Sequence, residues 1–226
     1  MQALCKGKRT LNHEIVTIIG SSYFEAISAL LEKLERHESR ASSGFQAGYY
    51  ENGFAASICI LSVVALESYV MRARYINNAE GRDLDRMAVS DYLKRIYQDF
   101  PYGDEIKEVF VVRDLLAHNH LWEVELELHE AEGMKEKNIK RRSSGDKKYV
   151  FCVENDTAKT KVLGLNANPI KVDAEDARTT LKVMWRTLLF LEEKNRNQCY
   201  VSHLHVTHKG RQVQMGRLVG LEETCT

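Results

Sequence analysis

The feature that most constrains the fold is a helical pattern over residues 45–77 that is apolar on nearly every side. A helix that is apolar all round has to be covered by other elements on more than one side. The pattern therefore predicts a long central helix in a mainly α-helical domain. Its apolar positions recur near helical spacing and include Phe54, Ile58, Leu61, Val64, Ala65, Leu66 and Tyr69.

Glu67 lies inside the most apolar part of this stretch. Burying a carboxylate is costly unless the group is paired. We therefore expect Glu67 to have a cationic partner, and Arg113 is the natural candidate. The plainer alternatives are a carboxylate that faces solvent or an ion pair with only a structural role.

Other segments show the apolar periodicity of amphipathic helices, and each begins or ends at a residue that caps or breaks a helix. The first covers residues 10–38, with an early break at Gly20-Ser21-Ser22. A short helix is predicted over Val89–Phe100, and another runs from a cap at Asp104 to about Trp122. A last helix begins at Asp173 or Asp176. Its core face comprises Leu181, Met184, Trp185, Leu188, Leu189 and Leu191.

Strand-like patterns lie between and after these helices. Residues 122–128 alternate between apolar and charged side chains, which is typical of a half-buried strand, although a fraying helix end would fit the same residues. Residues 149–153 and 160–165 are predicted to form a hairpin, and 201–206 an edge strand that turns at Lys209-Gly210. We expect a small antiparallel β excursion over about 123–172 and a β-like C-terminal tail.

A basic run between these strands is the clearest charge feature. Residues 135–148 contain Ser143-Ser144-Gly145, and the segment is predicted to be a mobile loop. Such a loop has the composition of an arm that grips phosphates, and Lys140, Arg141 and Arg142 are assigned to substrate binding on this ground. A solvated loop without a partner explains the composition equally well. Its cations are Lys135, Lys137, Lys140, Arg141, Arg142, Lys147 and Lys148.

Composition limits the other possibilities. Hydrophobic residues make up 44% of the 226 residues, and 32 basic residues balance 32 acidic ones. This balance argues against a bulk polyanion binder but allows a local basic site. The five cysteines are scattered without a Cys-x-x-Cys pair, which indicates reduced thiols in a cytoplasmic protein. With no linker and no apolar run of about 20 residues, we expect one domain over residues 1–226 that does not enter a membrane.

The candidate chemistry is concentrated in Arg113-Asp114-Leu115-Leu116-Ala117-His118-Asn119. On a helix Asp114 and His118 lie one turn apart on one face. RNA carries its own nucleophile, the 2′-hydroxyl, so cleavage without metal needs a base, an acid and positive charge at the phosphate. A histidine suits the first two tasks near neutral pH, and an arginine fork suits the phosphate. Asp114 would orient His118, and Asn119 would hydrogen-bond the phosphate or a base.

The segment Arg113-Asp114-x-x-x-His118 is similar to the Arg-polar-x-x-x-His signature of the HEPN superfamily, a group of α-helical proteins rich in RNA-cleaving toxins. Residues 62–70 resemble the long helix that precedes this signature, and the resemblance covers about residues 44–125. It implies a helical bundle acting as a metal-independent endoribonuclease without cofactors, with two motifs facing each other across a homodimer groove. A toxin or phage-defence setting, with an antitoxin or regulatory partner, is also implied.

Two alternatives remain open at this stage. In the first, the domain keeps the HEPN-like bundle but is not catalytic, and it dimerises and binds a partner or nucleic acid. In the second, His203, His205 and His208 bind a metal in a regulatory protein, since alternate strand positions share a face. A polar edge strand explains the three histidines better, so no metal ligand is assigned.

Overall fold

The computed structural model describes residues 19–38, 46–77, 86–118, 122–129, 133–141, 147–197 and 199–221. Over these residues the chain is mainly helical, with two small antiparallel two-stranded sheets. The helices are α1 (Ser22–His37), α2 (Tyr49–Ile76), α3 (Val89–Ile96), α4 (Gly103–Ala117), α5 (Lys147–Cys152), α6 (Ala174–Lys194) and α7 (Met215–Leu218). The strands are β1 (Trp122–His129), β2 (Gly133–Arg141), β3 (His205–His208) and β4 (Arg211–Gln214).

Helix α2 occupies the centre, as its apolar pattern predicts. It packs against α1, α4 and α6. Ile58, Leu66 and Val70 are fully buried in the main core. The core also includes an edge-to-face pair in which the rings of Phe24 and Trp185 lie 5.5 Å apart. Burial from several directions explains why this helix lacks a continuous polar face.

Helix α2 is also the one helix in the described part of the chain with the length and hydropathy needed to cross a membrane. Half of its most apolar window is buried inside the fold. The central helix of a globular core needs the same composition, so this property is weak evidence for a membrane span.

Helices α3, α4 and α6 begin within two residues of their predicted starts, whereas the sequence did not predict α5 or α7 as helices. Helix α1 begins at Ser22, at the predicted Gly20-Ser21-Ser22 position, and residues 10–18 lie outside the described part. Helix α6 is capped by Asp173, whose side chain accepts hydrogen bonds from the backbone N–H groups of Glu175 and Asp176. Asp104 does not cap α4; it lies inside the first turn and contacts Lys94 at 2.9 Å instead.

Helix α4 contacts two separate apolar clusters. Ile106, Val109 and Val112 face the main core. Val111 and Leu115 belong to a second cluster with Tyr149, Cys152, Val153 and Ala167. Between these apolar faces the helix presents a third face with Phe110, Arg113 and Asp114. The helix ends at Ala117 and not at Trp122.

The β excursion is shorter than predicted and is built differently. Strand β1 is confirmed by its antiparallel pairing with β2, with a bulge between Glu125 and Leu126. The prediction of a basic loop over 135–148 is wrong for its first part, because Gly133–Arg141 is a strand. The predicted hairpin of residues 149–153 with 160–165 is also wrong. Residues 147–152 form α5, and only an isolated bridge joins Val153 to Thr160.

The tail forms the second hairpin, which docks on α1. Strands β3 and β4 pair in antiparallel register around the turn at Lys209-Gly210, where both residues have positive φ. Ser28 on α1 donates a hydrogen bond to the carbonyl oxygen of Thr207 at 2.8 Å. The turn is therefore confirmed, while the strand begins at His205 and not at Val201.

Candidate functional site

Arg113 is held at the junction of α4 and α2 by two carboxylates. Its Nη2 donates a hydrogen bond to Oε1 of Glu67 at 3.0 Å. Its Nε lies 3.1 Å from Oδ1 of Asp114, without hydrogen-bond geometry, so this contact is coulombic. The guanidinium also lies 5.2 Å from the centre of the Phe110 ring. The cationic partner predicted for Glu67 is thus present.

A cleft of about 800 Å³ opens beside this ion pair. Its walls come from the C-terminal half of α2, the segment 86–91, the exposed side of α4, and α5. Arg113, Asp114 and Glu67 all line it, so the first two residues of the sequence motif border a concave site. This volume is within the range typical of ligand-binding pockets.

The cleft has an excess of positive charge, although the whole chain is neutral. Six basic residues line it against three acidic ones, which gives a formal charge of +3. Two of the acids, Glu67 and Asp114, already contact Arg113. The basic residues are Arg74, Arg86, Lys107, Arg113, Lys147 and Lys148.

Arg74 is committed to the structure of the cleft wall. Its side chain is buried, and Nη2 donates a hydrogen bond to the carbonyl oxygen of Met87 at 2.6 Å. Its guanidinium also lies 4.7 Å from the centre of the Tyr92 ring. These contacts join α2 to α3 and fix the segment that carries Arg86 and Met87. Arg74 is a residue that the sequence pattern did not single out.

His118 lies one turn beyond Asp114, at the end of α4. Its backbone N–H donates to the carbonyl oxygen of Asp114 at 3.0 Å, so the helical hydrogen-bond pattern extends to this residue. The residue is exposed, and it is not among the residues that line the cleft. His118 is therefore at the protein surface and is not enclosed in the apolar core.

The assigned substrate-binding residues divide into two groups. Asn119 and Arg142 lie outside the described residues. Lys140 is exposed on β2 and pairs in register with Glu123 on β1. The guanidinium of Arg141 lies 4.0 Å from the centre of the Tyr149 ring. Neither Lys140 nor Arg141 lines the cleft.

The hairpin also balances most of its own charge. Lys137 contacts Glu125 at 3.2 Å, and Lys140 is in register with Glu123. An acidic strand thus lies against a basic one, which reduces the field that these lysines present to a polyanion. Among the described residues of the basic run, those that line the cleft are Lys147 and Lys148, at its end.

The tail histidines do not converge. The ring of His203 stacks on Tyr200 with centroids 4.0 Å apart. Nδ1 of His205 lies 2.8 Å from the carbonyl oxygen of His203. His208 contacts Ser28 and Glu35 on α1. Among the described residues, no group of three or more His, Cys, Asp or Glu side chains has the arrangement of a metal site.

The described cysteines are poorly suited to nucleophilic chemistry. Cys59, Cys152 and Cys199 are buried and free. Burial raises the pKa of the Cys59 thiol to about 12 and also raises the pKa values of Cys152 and Cys199. A thiol with a raised pKa carries little of the reactive thiolate at neutral pH.

Comparisons with known proteins give no relative from which to transfer a function. No family model, no curated protein and no solved structure matches the chain.

Proposed function

We propose that this protein is a metal-independent endoribonuclease of HEPN type, in which Arg113 stabilises charge on the phosphate and His118 transfers protons. The observation that carries the proposal is the placement of Arg113. Its guanidinium is held by Glu67 and Asp114 in the wall of a cation-rich cleft, one to two turns before an exposed histidine on the same helix.

The roles follow from the chemistry of RNA cleavage. A base removes the proton of the 2′-hydroxyl, whose oxygen attacks the adjacent phosphorus, and an acid protonates the departing 5′-oxygen. The products are a 2′,3′-cyclic phosphate and a 5′-hydroxyl. Arg113 offers a planar cation matched to the phosphate oxygens, and Glu67 orients it. Asp114 balances the charge of Arg113 from the other side.

One chain supplies one motif histidine, whereas the reaction needs both an acid and a base. A homodimer would bring a second copy of His118 to the scissile phosphate. The exposure of His118 at the end of α4 supports this proposal, because a residue at the protein surface can lie at a dimer interface. We propose a cytoplasmic toxin or defence role controlled by an antitoxin or regulatory partner, on the basis of the HEPN resemblance alone.

The second candidate is a HEPN-like module that binds nucleic acid or a partner without cleaving it. One observation favours it: His118 is outside the cleft that Arg113 lines. In that case the cleft would bind an anion, and no acid or base would act on it.

The two candidates are separated by a cleavage assay in EDTA with structured and single-stranded RNA. Arg113→Ala and His118→Ala are compared with Lys182→Ala, which changes an exposed residue on α6. The nuclease proposal expects a loss of at least 100-fold for both motif variants and none for the control. Binding without cleavage by the wild type, or cleavage that survives both substitutions, would support the non-catalytic module or another site.

A further inference from the structure

The β1–β2 hairpin contacts the rest of the fold mainly at its base. There the guanidinium of Arg141 lies 4.0 Å from the centre of the Tyr149 ring, and the ring centres of Trp122 and Tyr149 are 6.3 Å apart. No described helix or strand makes extensive contact with the hairpin beyond this base. A two-stranded sheet without cover is at best marginally stable in water, so a surface that covers this hairpin would stabilise it.

One face of the hairpin is apolar and partly open to solvent. Alternate residues of a strand point to the same face, so Val124, Leu126 and Leu128 of β1 share one side. Ile139 of β2 is opposite Val124 in register, and we call these four residues the hairpin face. Leu128 is 76% exposed and Leu126 is 39% exposed. Large apolar side chains displayed together on a surface are typical of an interaction site.

The charges of the two strands limit how the hairpin can associate. Strand β1 carries Glu123, Glu125 and Glu127, whereas β2 carries an excess of lysine and arginine. Extending the sheet symmetrically with a second copy would place β1 beside β1 or β2 beside β2, and like charges directly opposite each other are unfavourable. Adding β1 to β2 of another copy would leave free edges and form an open-ended chain. The strand edges are therefore poorly suited to a closed dimer.

Packing the hairpin faces of two copies against each other has the opposite electrostatics. With the two-fold axis parallel to the strands, β1 of one copy lies over β2 of the other, so an acidic strand faces a basic one. With the axis across the strands, β1 would lie over β1, and like charges would face each other. The hairpin is therefore complementary to a second copy of itself in one orientation.

We propose that the hairpin face is a homodimer interface, in which two hairpins pack face to face with β1 over β2 of the second copy. This orientation places the bases of both hairpins at the same end of the dimer. Trp122 at the base follows His118 by four positions in the sequence, so both copies of His118 lie toward this end. The consequence for His118 rests on the proposed function, which needs a second histidine, whereas the association itself does not.

Sedimentation velocity of the full chain over a concentration series tests the interface without RNA. A face of this size fits a weak, reversible dimer. Leu126→Asp with Leu128→Asp should raise the dimer dissociation constant about tenfold or more, because burying an unpaired carboxylate is costly. Tyr75→Asp with Ile96→Asp, which changes exposed apolar residues on α2 and α3, should leave it unchanged. With folding checked by circular dichroism, a monomeric wild type or a dimer that the leucine substitutions leave intact would overturn the proposal.

An exchange of charges within the hairpin tests the orientation. The variant with Glu123→Lys, Glu125→Lys, Lys137→Glu and Lys140→Glu keeps opposite charges on the two strands. It should dimerise with itself as the wild type does. It should form mixed dimers with the wild type about tenfold less readily, because β1 of each chain then faces a strand of like charge in the other. Mixed dimers that form as readily as wild-type dimers would overturn the placement of β1 over β2.

The interface and the nuclease can fail separately. A dimer that depends on the hairpin face, in a protein that cleaves no RNA, would support this interface and remove the nuclease. RNA cleavage by a dimer that the substitutions at Leu126 and Leu128 leave intact would remove this interface and leave the nuclease in place.

Discussion

The guanidinium of Arg113 donates a hydrogen bond to the carboxylate of Glu67 across 3.0 Å, and this contact joins α4 to the central helix α2. Glu67 comes from a mostly apolar stretch of α2, and Arg113 directly follows the apolar residues 109–112 of α4. The ion pair neutralises the charges of the two side chains where α4 packs against α2. It also places the Arg113 guanidinium in the wall of the cleft. The contact that joins the two helices therefore also positions the Arg113 guanidinium for the proposed chemistry.

Glu67→Ala should destabilise the protein only modestly. The side chains of Arg113 and Glu67 are 22% and 36% exposed, so solvent screens part of their attraction. For such a pair we expect a loss of about 1 kcal/mol or less, and Glu67→Gln should lose less because it keeps an acceptor. Urea unfolding of Glu67→Ala, Arg113→Ala and the double variant measures the coupling energy. A coupling of zero would mean that the contact contributes nothing in solution.

Glu108→Ala should lower the free energy of unfolding more than Glu67→Ala does, although Glu108 lies on α4, the helix that carries Arg113. Its buried carboxylate accepts hydrogen bonds from the backbone N–H groups of Val162 and Leu163, both at 2.8 Å. Removing it leaves two donors without their acceptor, at a cost of about 2–4 kcal/mol. Glu108→Gln keeps one acceptor and should recover about half. The exposed Glu123→Ala serves as the control, and equal stability of Glu108→Ala and the control would contradict this account.

Asp176 should make stability fall as pH rises through mildly acidic values. Burial raises the pKa of this carboxyl from 3.8 to about 6, while hydrogen bonds from Asn166 and Asp173 act in the opposite direction. The folded protein thus binds this proton more tightly than the unfolded chain does. The contribution of protonated Asp176 to the free energy of unfolding is complete below pH 4 and decreases between about pH 4 and pH 6. Above that range it is smaller by about 3 kcal/mol.

Unfolding free energies at pH 4, 5 and 6 check this sign. A carboxylate whose pKa is lowered by a cation, such as Asp104 beside Lys94, loses its contribution to stability at a lower pH. Such groups therefore affect stability between pH 4 and pH 6 less than Asp176 does. Asp176→Asn should reduce the slope of stability with pH between 4 and 6, whereas Asp156→Asn, which changes an exposed aspartate, should retain it. A slope that Asp176→Asn leaves unchanged assigns the effect to another group.

The two ends of the basic run should contribute unequally to RNA affinity. Lys140→Glu should weaken binding less than threefold, because Lys140 lies on a strand paired with acidic β1 and outside the cleft. Lys147→Glu should weaken it by about tenfold, since Lys147 lines the cleft and its removal subtracts from the net positive field there. Filter binding at fixed salt measures both. The reverse order would restore the hairpin as the phosphate-gripping arm.

The central helix and the Glu67–Arg113 ion pair could be predicted from sequence, because both predictions follow from the apolar residues that surround Glu67. A stretch that is apolar all round has few alternatives to burial, and Glu67 inside it requires a partner. The start of the last helix is likewise a short-range signal: of the two aspartates predicted to begin it, Asp173 is the cap. Signals of this kind depend on neighbouring residues in the sequence and not on how distant parts of the chain pack.

The errors arise where distant residues decide the local structure. Residues 149–153 have the β-branched and aromatic composition of a strand, yet residues 147–152 form α5, because Tyr149 and Cys152 at helical spacing reach Val111 and Leu115 on α4. The basic segment resembled a loop when taken alone, because the strand that pairs with it, the glutamate-rich β1, lies outside the segment. The cleft itself combines residues from four parts of the chain, so no single motif predicts it.

The most direct test of the proposed function is the chemistry of the cleaved ends. In EDTA, the wild-type protein should leave a 2′,3′-cyclic phosphate and a 5′-hydroxyl on RNA, and should fail on the same oligonucleotide carrying a 2′-deoxy sugar at the cleavage position. This result requires the 2′-hydroxyl to be the nucleophile, as the Arg113 and His118 mechanism states. Products with a 5′-phosphate, or cleavage of the deoxy-substituted strand, would contradict it.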